Sequence, residues 1–333
     1  MISTASFDFV ADLQRRETAM RCEPGKEYLV EARLLPLARE AGYEDVDAYV
    51  ARLRVDAAAR ADAVDALTIN ETSWFRDLAP YQTFTDTMLP ALLESRAHVR
   101  HLELWSAACS SGQEAYSLAM LLRENLPPGW TATIHATDVS RAMLTRVKAG
   151  RYSQVEMNRG MPATRLVRWF ERAGSEWQVS EELRSMITTE QLNLAAPFPP
   201  MRRFDVVFLR NVLIYFDAQT KSDILRRVHH TVAPDGFLLL GTSEYALDAG
   251  PGWQREVSGK TWMHRPEGAR PATPAAGAAG PAGVRGGAGS APARPLATTV
   301  PATATASFSS TLGTVARAGT GATLPTSLTP QGA

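Results

Sequence analysis

The most informative pattern of hydrophobic and polar positions lies between Leu102 and Arg123. An apolar run leads into the small residues of 106–112, after which apolar residues recur at helical spacing. The pattern predicts a strand over His101–Ala107, a tight turn, and a helix over Gln113–Asn125. In an open α/β sheet such a turn lies at the carboxyl end of the strand, where small residues let the backbone approach a nucleotide-like ligand.

This turn lacks the three glycines of a dinucleotide-binding fingerprint, because Gly112 is its only glycine. A cofactor with a diphosphate is therefore disfavoured, and an adenosyl group without phosphates fits better. The next apolar run, 131–137, ends at Asp138. A carboxylate at that point suits the two hydroxyls of a ribose, although Asp138 is also placed to cap the following helix. The two roles are compatible.

Apolar residues in the first 67 positions predict several short helices that form a small domain. The expected apolar faces comprise Phe7, Phe9, Val10 and Leu13, then Tyr28, Leu29, Leu34, Leu35 and Leu37. Arg33 and Arg39 are expected on a solvated face. Immediately after this domain, Asn70, Thr72 and Arg76 surround an aromatic pair. Taken alone, Asn70 and Thr72 are better interpreted as caps of a following helix than as functional groups.

Phe204–Leu209 is an unbroken apolar run, which is typical of a strand buried on both faces. Polar residues at the carboxyl end of such a strand project into the active-site crevice, so Asn211 and Tyr215 are candidates for the reacting centre. Asp217 is expected to cap the next helix. The remaining elements are a short helix over 162–169, strands over 176–179, 187–193 and 237–240, a turn at 234–236, and a hairpin over 253–264.

Charge and composition exclude several classes of protein. The chain has 35 basic and 35 acidic residues in 333, so it lacks the overall positive charge of a nucleic-acid-binding protein. Its two cysteines and paired histidines, His229 and His230, fall at no metal-ligand spacing, and no apolar stretch is long enough to cross a membrane. We therefore expect a cytoplasmic protein. From about 266 to 333 the composition collapses to Ala, Gly, Pro, Thr and Ser, which predicts a disordered tail.

Four ordered motifs, together with these elements, resemble the CheR family of chemotaxis receptor methyltransferases. They are NETSWFRD at 70, LWSAACSSGQEAYSLAM at 104, ATDVS at 136, and FDVVFLRNVLIYF at 204 with GTSE at 241. Members are protein-glutamate O-methyltransferases that use S-adenosylmethionine and release S-adenosylhomocysteine. The resemblance covers about residues 5 to 265. It implies a Rossmann-like α/β sheet with helices on both faces, a small β-subdomain, and an N-terminal helical domain over 1–69 that recognises receptors, followed by a methyltransferase domain over 70–265.

The resemblance also assigns roles to single residues and makes the 70–76 cluster functional. The implied cofactor-binding residues are Asn70, Thr72, Arg76, Glu114, Asp138, Asn193, Leu194, Arg210 and Asn211. Arg76 and Tyr215 match positions near the transferred methyl group and are the implied catalytic residues. No metal is implied. The implied partners are the cytoplasmic helices of chemoreceptors, and the protein is expected to act as a monomer.

The sequence departs from the family in two places. The second N-terminal helix, usually rich in Arg and Lys, has only Arg33 and Arg39 here. The segment between Glu171 and Ile187 looks shorter than in members whose β-subdomain grips a receptor C-terminal peptide, which predicts that this protein needs no such tether. Two rival functions remain. Nucleobase N-methylation is disfavoured because RNVLIY lacks the expected proline, and a non-catalytic adaptor that binds the cofactor is the alternative.

Overall fold

The computed structural model of the protein describes residues 1–244, 250–259 and 261–268. The predicted tail lies outside these residues except for its first three positions. None of the helices in the described ranges has the length and apolar character of a membrane span.

Four helices build the N-terminal region: α1 Thr4–Thr18, α2 Glu27–Glu40, α3 Val46–Leu53 and α4 Ala57–Leu67. The side chains of Ser3, Asp45 and Asp56 accept backbone N–H bonds at the starts of α1, α3 and α4, which satisfies donors that a helix leaves free. The four helices enclose a hydrophobic core of their own. The predicted helical domain is therefore present.

The expected apolar face of α2 is wrong at its start. Tyr28 and Leu29 are 61% and 39% exposed, whereas α2 buries Val30, Leu34 and Ala38 at four-residue spacing. Two consecutive apolar residues point in different directions on a helix, and packing against α4 selects the later face. The solvated role expected for Arg33 is also wrong, because its guanidinium donates to the carbonyls of Leu67 and Thr68 at 2.7 and 3.0 Å.

A second region carries the sheets. Its strands are β1 His101–Ala107, β2 Thr131–Asp138, β3 Arg151–Ser153, β4 Phe170–Ala173, β5 Glu176–Val179, β6 Ile187–Gln191, β7 Phe204–Leu209, β8 Val232–Leu240, β9 Trp253–Ser258 and β10 Thr261–Pro266. Its helices are α5 Ala79–Thr83, α6 Leu89–Ser95, α7 Gln113–Asn125, α8 Arg141–Ala149, α9 Gln154–Met157, α10 Ala163–Trp169, α11 Glu181–Arg184 and α12 Ala218–Thr231. A π-helix over Phe84–Met88 joins α5 to α6, and a 3₁₀ turn over Leu213–Tyr215 precedes α12.

In the described residues, the main sheet has the order β6-β2-β1-β7-β8-β10-β9. The first five strands in this order run parallel, and β10 and β9 close the sheet as an antiparallel hairpin. Alternate side chains of β7 enter different cores: Val206 and Phe208 pack with α7, and Val207 and Leu209 with α12. Helices therefore cover both faces, and the Rossmann-like methyltransferase fold is confirmed.

The β-subdomain is a separate antiparallel sheet of order β3-β5-β4. The predicted strands over 101–107, 176–179 and 204–209 and the helix over 113–125 have the observed bounds. The turn expected at 234–236 is wrong, since these residues lie inside β8 at a register shift opposite Phe204 and Val206. The guanidinium of Arg96 donates there to the carboxylates of Asp205 and Asp235 at 2.6 to 2.8 Å. The register shift is a β-bulge, and a bulge accommodates Pro234 within the strand.

Candidate cofactor site

One cleft beside the carboxyl ends of β1, β2 and β7 brings all the predicted site residues together. Its lining includes Asn70, Thr72, Arg76, Glu114, Asp138, Asn193, Leu194, Arg210, Asn211 and Tyr215. The carboxyl ends of parallel strands meet at one edge of a sheet, which is why motifs distant in the chain converge here. The polar and acidic side chains thus share one concave site.

The turn after β1 approaches Asp138 through its backbone. Ser110 donates its N–H to one carboxylate oxygen at 2.8 Å, and Ser140 donates to the other at 2.9 Å. Ala108 and Ser110 have φ of 58° and 50°, the left-handed region that costs a non-glycine residue free energy. In this backbone conformation the N–H of Ser110 points at the carboxylate, and the hydrogen bond offsets part of the cost.

Asp138 is held rigidly at the end of β2. The residue is 5% exposed, and burial raises the pKa of its carboxyl while the backbone N–H donors oppose that rise. Each oxygen of a carboxylate has two lone pairs, so the two N–H bonds leave acceptor capacity for hydroxyls in the cleft. The helix-cap interpretation is wrong, because Ser140 caps α8 by accepting the N–H of Met143.

Glu114, on the first turn of α7, is fixed by a buried ion pair. Arg210 donates to Glu114 at 3.0 Å, to Asp77 at 3.0 Å and to the carbonyl of Arg76 at 2.8 Å, and its side chain is 1% exposed. Ser106 also donates to Glu114, at 2.8 Å. Burial raises the pKa of the Glu114 carboxyl, and the charge of Arg210 opposes the rise. Arg210 therefore joins the acid on α7 to the turn that carries Arg76.

That turn is anchored by its aromatic pair. Trp74 and Phe75 are both buried. The backbone N–H of Trp74 donates to the carbonyl of Arg159, and the backbone N–H of Phe75 donates to the hydroxyl of Ser117. The buried rings leave Thr72 and Arg76 in the lining of the cleft. The capping interpretation of Asn70 and Thr72 is wrong, since α5 begins after Leu78 without a side-chain cap.

The segment after β6 is tied to the helical region. Asn193 donates to the carbonyl of Glu17 at 2.6 Å, which connects the segment after β6 to α1.

Burial raises the pKa of the Tyr215 phenol, and the positive charge of Arg76 opposes the rise. Tyr215 therefore stays protonated at neutral pH and can donate a hydrogen bond.

Sequence reasoning missed several residues of the cleft. Thr18 ends α1 and Met20 follows it, Tyr81 lies on α5, and Cys109 and Ser110 lie in the turn after β1. The Tyr81 hydroxyl is buried without a partner in the described residues, so it is a donor available to a ligand. The residues beside Tyr81 in the sequence, Pro80 and Gln82, gave no signal for this role. Only the small-residue turn, which contains Cys109 and Ser110, was marked by its composition.

Comparison with known proteins agrees with this geometry. Residues 5–68 match the all-alpha domain of CheR methyltransferases, and residues 70–262 match the SAM-binding domain of CheR methyltransferases. The chain belongs to the CheR methyltransferase family. Its cofactor is S-adenosylmethionine. The polar groups of the cleft fit that compound, since the cleft offers the carboxylates of Asp138 and Glu114 and the buried hydroxyl of Tyr81 and has no glycine loop for a phosphate.

Named relatives are similar over most of their own length. Chemotaxis protein methyltransferase 1 of Pseudomonas aeruginosa is 43% identical over 228 residues, which cover 66% of this chain and 82% of the relative. Chemotaxis protein methyltransferase Cher2 of Pseudomonas putida is 41% identical over 227 residues, with coverages of 66% and 82%. The chemotaxis protein methyltransferase of Vibrio parahaemolyticus is 40% identical over 229 residues, with coverages of 66% and 81%.

Proposed function

We propose that this protein transfers a methyl group from S-adenosylmethionine to glutamate carboxylates of chemoreceptors and so forms glutamate methyl esters. One observation carries the proposal: the cleft that contains Asp138 and Glu114 also contains a cationic side chain, Arg76, and a protonated phenol, Tyr215. A cation and a hydrogen-bond donor are the groups that attract and orient a carboxylate. The names of the relatives supply the link to chemotaxis.

In this mechanism the enzyme positions its substrates and needs no general base. The side chain of glutamate has an ordinary pKa of about 4.3, so the acceptor is already an anion at neutral pH. When bound, S-adenosylmethionine supplies a methyl group on a positively charged sulfur. Transfer of that methyl group from the sulfur to a carboxylate oxygen, with S-adenosylhomocysteine as the leaving group, would remove both charges. A site that excludes water and holds the reacting groups in line would therefore supply most of the acceleration.

The residues of the cleft divide the work. Asp138 would hold the ribose through its free lone pairs, and Glu114 would lie near the methionyl end, held in place by Arg210. Asn70, Thr72, Asn193, Leu194 and Asn211 would complete the binding site. Arg76 and Tyr215 would orient the incoming carboxylate. If Arg76→Ala kept full turnover and unaltered cofactor affinity, this role for Arg76 would be wrong.

The partners follow from the same proposal. The helical domain over 1–69 would contact the cytoplasmic helices of receptors, and the methyltransferase domain over 70–265 would act as a monomer in the cytoplasm. Neither a nucleic acid nor a receptor C-terminal tether would be required.

The test is a methyl-transfer assay with labelled S-adenosylmethionine and membranes that bear a panel of chemoreceptors. Transfer to receptor protein, followed by release of labelled methanol in mild alkali, identifies a carboxyl ester. A non-catalytic adaptor would bind S-adenosylhomocysteine in calorimetry and transfer no label. A label that resists alkali would exclude an ester product and overturn the proposal.

A further inference from the structure

The GTSE segment after β8 contains a buried acid to which the proposed function gives no role. Glu244 is 8% exposed, and its carboxylate accepts three backbone N–H bonds. Asn211 and Gly241 donate to Oε2 at 2.6 and 2.8 Å, and Leu213 donates to Oε1 at 2.6 Å. One side chain therefore joins the loop after β8 to the turn after β7.

The turn after β7 depends on such an acceptor. Asn211 has a φ of 59°, in the left-handed region that asparagine adopts more readily than most residues other than glycine. The N–H of Leu213 stands at the start of the 3₁₀ turn that ends at Tyr215, where a helical segment has no acceptor of its own. A carboxylate is the side-chain group that accepts several N–H bonds while donating none. Glu244 thus holds a left-handed turn in place and caps the segment that carries Tyr215.

The contact between the two loops leaves no space for a larger residue. A Cβ atom at position 241 would lie 2.6 Å from Oε2 of Glu244 and 2.8 Å from the backbone nitrogen of Asn211. Only glycine allows this approach. Asn211 and Tyr215 line the cleft, whereas Glu244 is absent from the described lining residues.

We infer that Glu244 is a positioning residue for methyl transfer, which acts by fixing the turn that presents Tyr215 to the cleft. The inference rests on the proposed function, since it assumes that Tyr215 orients the acceptor carboxylate. It assigns Glu244 no contact with either substrate.

The first test is a double-mutant cycle. Glu244→Gln keeps the shape of the side chain but replaces one acceptor oxygen with an NH₂ group that faces a backbone N–H. We expect Glu244→Gln to lower kcat about tenfold or more in the wild-type background. In the Tyr215→Phe background the same change should lower kcat no more than about threefold, because Glu244 acts by positioning a hydroxyl that this variant already lacks. The matched control is Glu94→Gln at an exposed position on α6, which should leave kcat unchanged. Equal losses in both backgrounds would overturn the inference.

The second test needs no enzymatic activity. Hydrogen exchange of a peptide spanning 210–216 should become about tenfold faster in Glu244→Gln, while β1 keeps its protection. If the wild type transferred no methyl group, the proposed function would fail. Unchanged exchange at 210–216 in Glu244→Gln would separately refute the inference that Glu244 fixes this turn. Where Glu244→Gln folds too poorly for assay, Glu244→Asp, which is one methylene shorter and keeps the charge, provides the same comparison.

Discussion

Removing Arg210 is expected to destabilise the protein more than removing any exposed arginine. Arg210→Met leaves the Glu114 carboxylate largely buried without its cation, and the turn at Arg76 and Asp77 without its donor. Breaking a buried ion pair by deleting one partner costs about 3–5 kcal/mol. For a folded unit of 150–250 residues, that loss lowers the thermal midpoint by about 6–20 °C.

The loss of stability in Arg210→Met is expected to depend on pH. Burial already raises the pKa of Glu114, and the charge of Arg210 opposes the rise, so the variant should raise that pKa further. When a carboxyl group has a higher pKa in the folded than in the unfolded state, the protein loses stability as the pH rises from the unfolded-state pKa to the folded-state pKa. The deficit of Arg210→Met should therefore be smaller at about pH 5 than at about pH 8.

Thermal unfolding of the wild type, Arg210→Met and the double variant Arg210→Met with Glu114→Gln checks the reasoning. The double variant should recover part of the loss because it removes the uncompensated charge. Arg226→Met is the control: its side chain is 67% exposed and pairs with Asp223 at the surface, so the midpoint should not change measurably. A shift below about 2 °C for Arg210→Met would refute the buried-pair argument.

Three further predictions concern the cofactor, a close contact and the receptor. Asp138→Asn should weaken S-adenosylhomocysteine binding by about 1–3 kcal/mol in calorimetry, and it should also lower the thermal midpoint because an NH₂ group then faces the N–H of Ser110 or Ser140. Unaltered affinity would contradict the ribose role. Gly160→Ala places a Cβ 2.3 Å from the carbonyl of Trp74, so it should unfold at a lower temperature than Gly174→Ala, which has a positive φ but open space. Equal midpoints would show that the contact relaxes freely. Receptors with and without a C-terminal peptide should be methylated at equal rates, and a large loss on peptide removal would refute tether independence.

Local patterns predicted much of the site because the chemistry of this fold is concentrated at strand ends. The apolar run Phe204–Leu209 and the acid Asp138 were visible as positions in a strand-turn-helix order, and topology alone then brought them to the same edge. The family motifs supplied the single-residue assignments, and those residues do line one cleft. Which of them bind or catalyse remains a prediction.

What the sequence did not reveal depends on contacts between distant residues. Pro234 and Gly236 carry turn chemistry, yet the guanidinium of Arg96 binds Asp205 and Asp235 and keeps the segment in the sheet. The bonds of Glu244 reach a turn about thirty residues earlier, which no local periodicity records. Non-local hydrogen bonds of this kind override local propensity.

The cleft is built by two parts of the chain that have separate cores. Thr18 ends helix α1 of the helical region, and Met20 shortly after it packs into the core of the sheet region. Both line the same cavity as Asp138 and Tyr215. A fragment that begins at residue 70 would keep its strands yet open one wall of the cavity to water. Cofactor affinity therefore depends on the contact between the two regions, and exchanging the helical region between relatives should alter how tightly the nucleotide is retained.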